Sequence, residues 1–484
     1  MDHSRAPVLE ALRAFQEGGF VPFNPPGHKQ GRGVEKRVLD TVGESVFTSD
    51  VISVNGLDDR LSRLGVLSEA QELMADAVGA EHTFFSTCGS SLSVKSAMLA
   101  VAGPHEKLLV ARHAHKSVIA GLIVSGVQPV WVDPRWDAER HLSHPPGVDE
   151  VRAAFESEPD AKGLLLVTPT DYGTCGDIKA IADLCHERDR TLIVDEAWGA
   201  HLPFHDDLPP WAMNAAADLC VTSVHKMGSA VEQSSVFHLQ GDRVDPAVLK
   251  AREDLLGTTS ASSLVYATLD GWRRQMVQHG DELLSAALRL VRSVRARIGE
   301  LDGLAVMGEE FREHASSYDP LKVVVDVSGL GISGYQATDW LREHRHVTVG
   351  LSDHRRLVAQ FTYADREETA TALVDALEAL VAAAERLPEP KPVDLPTPDE
   401  LRLHTAMLPR DAFFGPAEQV PAEQAAGRVA AEMLTPYPPG APAVVPGEVL
   451  TKDVLSYLRS GLAAGMSVPD AADSSLETIR VVAR

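Results

Sequence analysis

Cysteine is scarce, aromatic residues make up only 5% of the chain, and acids outnumber bases. The four cysteines, Cys88, Cys175, Cys185 and Cys220, stand in apolar or loop contexts without paired metal-ligand spacing. Reduced thiols are therefore expected, and neither a disulfide framework nor a zinc site. With 45 Lys and Arg against 69 Asp and Glu, the formal net charge is −24, which argues against nucleic-acid binding because that calls for a basic face. The same acidity suits a cationic small molecule, although acidic surfaces serve solubility in most proteins. No apolar run reaches the roughly 20 residues that span a bilayer, and residues 1–20 carry acids and lack the apolar stretch of a signal peptide. A cytoplasmic protein without membrane contact is the expectation. There is no internal repeat.

What is present is an ordinary globular composition, 44% apolar and 24% charged, over 484 residues. That length suits two or three packed domains rather than one core. Between residues 66 and 240, helical patterns alternate with short β-branched runs at 107–111, 127–132, 163–167, 191–194 and 219–222. Such alternation predicts an α/β fold, a mostly parallel sheet covered by helices, with functional residues at the carboxyl ends of the strands. A long helix is expected over 267–300, then a smaller α+β unit with strands at 322–327, 346–349 and 357–361. The proline-rich stretch 387–398 reads as a semi-rigid connector. The expected segmentation is an N-terminal segment 1–45, a large domain 46–310, a small α+β domain 311–386, the connector 387–400 and a C-terminal module 401–484.

Lys226 closes the stretch Asp218–Lys226, and Asp195 closes the apolar run Thr191–Asp195. A lysine and an acid at the ends of two strands are what a pyridoxal 5'-phosphate (PLP) enzyme needs. The amine condenses with the cofactor aldehyde, and the carboxylate keeps the pyridine nitrogen protonated. Charged residues also end strands in many α/β proteins that hold no cofactor. Gly89, Ser90 and Ser91 sit at a strand-to-helix turn, where backbone N–H groups and hydroxyls can surround a phosphate; the alternative is a serine-rich helix cap without a ligand. Ser223 and His225, just before Lys226, offer further phosphate contacts. His115 follows the strand ending near Ala111, either to lie on a cofactor ring or meet a substrate carboxylate, or to cap a helix. Ala197, two residues past Asp195 on the same strand face, can pack against the other side of a ring. Trp198 reads as packing.

The motifs Pro26–Lys29, Gly56–Asp59, Glu69–Gln71, Phe84–Ser86, His115–Ser117, Asp195–Ala197, Ser223–Lys226, Thr258–Ser260, Leu351–Asp353, Pro409–Phe413, Tyr437–Gly440 and Pro446–Glu448 span nearly the whole chain. In this order they resemble the bacterial Orn/Lys/Arg decarboxylases of PLP fold type I (aspartate aminotransferase-like), especially the shorter biosynthetic arginine decarboxylase branch. The resemblance implies that the large domain binds PLP. It assigns Lys226 as the cofactor-bound lysine, Asp195 as the partner of the pyridine nitrogen and His115 as the imidazole stacked on the ring. Gly89, Ser90 and Ser91 match the phosphate turn, with Ser223 and His225 nearby. Thr258 and Ser260 match a segment that reaches a neighbouring subunit's site, so a homodimer with shared active sites, or a higher oligomer, is implied.

Departures from the family pattern leave the cofactor chemistry intact and put the identity of the substrate in doubt. Cys88 and Ser90 flank Gly89 where relatives often carry Asn and Thr, Trp198 stands where the usual residue is His, and Gly350 replaces a common Glu. Arg60–Leu64 replaces a proline-containing loop. The expected activity is decarboxylation of a basic L-amino acid in polyamine synthesis: arginine to agmatine first, lysine to cadaverine second, ornithine third. Asp171, Asp353 and Glu448 are candidates to meet the distal cation, with surface or structural roles as the alternative. Other readings are an aminotransferase, racemase or β-eliminating lyase on the same scaffold, or a non-catalytic regulatory homologue.

Overall fold

The computed structural model describes residues 1–52, 65–437 and 440–484. Gly56–Asp59 and Arg60–Leu64 lie outside the described residues, as do Pro438 and Pro439. Two compact units interleave along the chain, one formed by residues 1–101 and 191–283, the other by 102–190 and 284–484.

In the first unit four strands lie in the order His82–Ser86, Ser235–Leu239, Leu219–Ser223, Thr191–Asp195. Ser235–Leu239 runs antiparallel to both neighbours, whereas Thr191–Asp195 and Leu219–Ser223 are parallel. Every residue of the last three strands is buried. Helix Gly89–Val101 packs on Leu219–Ser223 and is itself covered by helix Pro246–Leu256. The N-terminal helix Pro7–Glu17 is pinned by a fully buried pair, Asp270 and Arg273. Asp270 accepts the Val8 amide at 2.9 Å, and Arg273 donates to the Arg5 carbonyl at 2.6 Å.

In the second unit Lys107–Ala111 pairs parallel with Gln128–Val132 and with Gly163–Val167. A separate antiparallel sheet runs Ala305–Met307, Lys322–Asp326, Arg356–Gln360, Leu351–Ser352. The C-terminal part of this unit joins the antiparallel strands Ala417–Pro421 and Thr478–Val482 to helix Lys452–Ala464 around a core that includes Leu434, Val444, Leu458 and Ile479. The long helix covers Ser263–Gly299.

The strand expected at 346–349 does not form. Helix Gly334–Arg345 runs up to it, His346 takes a left-handed φ of 55° as its cap, and the Val347 amide turns back to the Leu341 carbonyl at 3.2 Å. Those amides close a helix and have no ladder to join, so pairing starts only at Gly350, whose N–H reaches the Val358 carbonyl at 3.0 Å.

Candidate active site

Asp195 is 4% exposed at the carboxyl end of its strand, and its Oδ1 accepts the Ala197 amide at 3.2 Å. In the parallel register it stands beside Val221, two residues before the neighbouring strand ends at Ser223. That strand runs straight into the single turn Val224–Met227, which carries His225 and Lys226. The Ser223 amide donates to the Ala197 carbonyl at 3.3 Å, tying the two strand ends together. Lys226 Nζ lies 4.2 Å from the centroid of the Trp198 ring, an attraction between ammonium and aromatic face.

Gly89, with φ +74°, opens the helix Gly89–Val101, and a side chain built there would meet open space. Its amide is held by the Gln233 carbonyl at 2.9 Å. Ser90 is half-buried and Ser91 exposed on the first turn. Ser223 Oγ donates to Ser90 Oγ at 2.6 Å, which brings two of the expected phosphate-binding hydroxyls together. First-turn amides with hydroxyls beside them form an anion site. His225 Nδ1 donates to the Ser234 carbonyl at 3.1 Å, and burial pushes the imidazole below its usual range. An amine, a buried carboxylate, a half-buried Ala197 and this hydroxyl-rich turn, all within one unit, fit PLP on donor chemistry. Thr258 and Ser260 stand on an exposed loop, where the Ser260 amide donates to Thr258 Oγ1 at 3.1 Å.

Glu196, next to Asp195, points into the protein and is 1% exposed. Its Oε2 accepts from the Ala212 amide at 3.2 Å and the Cys220 thiol at 3.4 Å, and burial pushes its carboxyl well above the usual range, so it holds its proton.

In the second unit His115 is the N-cap of helix Lys116–Ser125. Its Nδ1 accepts the Ser117 amide at 3.2 Å and meets Ser117 Oγ at 2.9 Å, so a neutral ring carries its proton on Nε2. Helix capping and a chemical role draw on different nitrogens of one ring. Asp353 is engaged within its own unit: Oδ2 accepts from Tyr172 at 2.6 Å and forms an ion pair with Nε of the fully buried Arg356 at 3.1 Å, while Oδ1 takes the amides of Arg355 and Arg356. Glu448, 1% exposed, pairs with Arg112 at 3.2 Å and accepts the Val445 amide at 2.8 Å. Neither presents an unpaired carboxylate for a cation. Asp171 is half-buried beside Tyr172.

Residues 6–369 match the family described as Orn/Lys/Arg decarboxylase, major domain, and residues 399–470 match the Orn/Lys/Arg decarboxylase C-terminal domain. An arginine decarboxylase of Halalkalibacterium halodurans is 38% identical over 481 residues, which cover 99% of this chain and 98% of that one. An arginine decarboxylase of Bacillus subtilis is 37% identical over 487 residues, 100% of this chain and 99% of that one. Among solved structures, lysine decarboxylase A from Pseudomonas aeruginosa superposes with a TM-score of 0.83 at 22% identity, over 99% of this chain and 80% of that one. The likeness bears on the fold, which is the α/β arrangement anticipated from the sequence.

Proposed function

The chain belongs to the Orn/Lys/Arg decarboxylase family, and from that premise we propose that it is a PLP-dependent carboxy-lyase that releases carbon dioxide from arginine, with lysine second and ornithine third. Arginine stands first because of the full-length likeness to arginine decarboxylases, and lysine second because lysine decarboxylases also match over most of the chain. The observation that carries the reading is Lys226 and Asp195 at the adjoining ends of two parallel strands, with Ser90 and Ser223 joined in the same unit.

When bound, PLP supplies an aldehyde for an amine and a protonated pyridine ring that takes up the electrons left by a departing carboxylate. Lys226 provides the amine, held over the Trp198 face. Asp195 holds the proton on the pyridine nitrogen from a buried position where its charge is little screened. The Gly89–Ser91 turn and Ser223 would hold the phosphate, and Ala197 would pack on the ring. By the family assignment, His115, with its proton on Nε2, would take the other ring face. After carbon dioxide leaves, a proton returns to Cα from Lys226 Nζ or His115 Nε2. A homodimer, with Thr258 and Ser260 reaching the partner subunit's site, and a cytoplasmic location complete the reading. In support, the loop that carries both residues is exposed, and among the described residues no helix is long and apolar enough to cross a membrane.

Arginine, lysine and ornithine supplied separately to the PLP-loaded protein test the proposal. One of them is expected to yield its amine and carbon dioxide in equal amounts. A cofactor-loaded protein inert toward all three would contradict it.

A further inference from the structure

His115 sits in a six-residue stretch, 112–117, that is gripped on both sides by a segment more than 300 residues later in the chain. On the N-terminal side the Arg112 guanidinium donates to the Pro442 carbonyl at 2.7 Å and the Ala443 carbonyl at 3.1 Å, and its charge is met by Glu448 at 3.2 Å. Arg112 is largely buried, with its guanidinium 5.1 Å from the centroid of the Trp131 ring. On the C-terminal side the Lys116 amide donates to the Gly440 carbonyl at 3.0 Å, and the Lys116 ammonium pairs with Asp470 at 2.9 Å.

Between these two anchors Gly440 meets the imidazole itself. A side-chain carbon at Gly440 would fall 3.1 Å from His115 Cδ2 and 3.0 Å from the Tyr437 ring, tighter than ordinary van der Waals contact, and the φ of +91° suits glycine. The opposite edge of the ring, at Nδ1, is fixed by the Ser117 amide. One edge is thus hydrogen-bonded, and the other faces Gly440 with no room for a side chain between them.

We propose that the C-terminal segment around Gly440 and Glu448 is a positioning clamp for His115, with Gly440 setting the orientation of the imidazole and the Arg112–Glu448 pair holding the stretch that carries it. As a statement about the reaction, the inference rests on the decarboxylase reading above; as a statement about His115, it does not. In a neutral ring Nε2 carries the proton, and Cδ2, the atom nearest Gly440, is bonded to Nε2. Displacing the ring edge at Cδ2 therefore moves Nε2, one of the two candidate proton donors named above. Glu448, for which the sequence left substrate contact and a structural role both open, acts here through Arg112.

The test compares wild type with Gly440→Ala, Glu448→Gln and Arg112→Lys. Glu423→Gln, which breaks an exposed pair with Arg459 elsewhere in the same C-terminal part, is the control. The first readout is the rate at which diethyl pyrocarbonate modifies His115, followed by peptide mass spectrometry with His3 and His205 as internal references. The second is kcat and KM for whichever basic amino acid the wild type consumes. The clamp predicts a several-fold change in His115 labelling in Gly440→Ala and a smaller change of the same sign in Glu448→Gln and Arg112→Lys. It further predicts a kcat lowered by about tenfold or more in Gly440→Ala, with KM little changed. Glu423→Gln should match wild type in both. Should Gly440→Ala not fold, the other two variants decide by the same labelling. Wild-type labelling of His115 in every folded variant overturns the clamp. A wild type inert toward all three amino acids overturns the decarboxylase reading instead, and the labelling still decides the clamp.

Discussion

Lys226 Nζ lies 4.2 Å from the centroid of the Trp198 ring, and the two residues meet because each follows directly on one of two neighbouring parallel strands. An aromatic face under an ammonium restrains where the amine can point. Trp198→Ala should lower kcat about tenfold, while Trp198→Phe, which keeps a face of the same kind, should stay within about threefold of the parent. Steady-state kinetics decide this, and equal rates in all three proteins would remove the ring from the account.

The Ser223 to Ser90 hydrogen bond couples two hydroxyls assigned to one phosphate. Replacing either with alanine should weaken PLP binding about tenfold, the scale of a hydrogen bond to a charged group. The double variant should lose less than the product of the single losses, because each single change also disturbs the remaining hydroxyl. Fluorescence titration of the apoprotein measures all three, and full additivity would mean that the two serines act independently.

Glu196 keeps its proton in the folded protein because burial disfavours its charge. As pH rises past the ordinary glutamate range, the unfolded chain releases that proton while the folded chain retains it. The stability this group contributes is complete at low pH and is lost as pH climbs toward its raised folded value. Glutamine mimics the neutral acid, so the Tm of Glu196→Gln relative to wild type should improve as pH rises above the ordinary glutamate range. A Tm difference that does not vary with pH would show that Glu196 is charged in the native state.

Asp353 is the counter-charge of Arg356, whose side chain is fully buried. Asp353→Ala strands that guanidinium and removes the acceptor of the Tyr172 hydroxyl, so a loss of about 3 to 5 kcal/mol in denaturant unfolding is expected. A loss well below this range would reopen a substrate-reading role for Asp353.

The parts of the fold that could be read from the sequence were the ones local pattern dictates. Runs such as Gly163–Val167 and Thr191–Asp195 are apolar from end to end and form buried strands. Ser235–Leu239 escaped notice because Ser235 and His238 interrupt its pattern. Both are satisfied only in three dimensions, Ser235 by Ser93 and the Thr222 carbonyl, His238 by Thr83. Residues 346–349 were misread as a strand because alternating apolar character does not reveal a helix cap. Lys226, Asp195 and the Gly89 turn were legible as the ends of periodic elements. The engagement of Asp353 and Glu448 was not, since Tyr172 is 181 residues from Asp353 and Arg112 is 336 residues from Glu448. The contact between Trp198 and Lys226 was not legible either, since the two lie on different strand ends.

The central claim is tested most directly by the stoichiometry of arginine turnover in the PLP-loaded protein, with carbon dioxide, agmatine and any keto acid measured in the same sample beside a Lys226→Ala control. One carbon dioxide per agmatine, no keto acid and no turnover in the control is the predicted result. A keto acid with pyridoxamine phosphate in place of carbon dioxide, or undiminished turnover without Lys226, would contradict it.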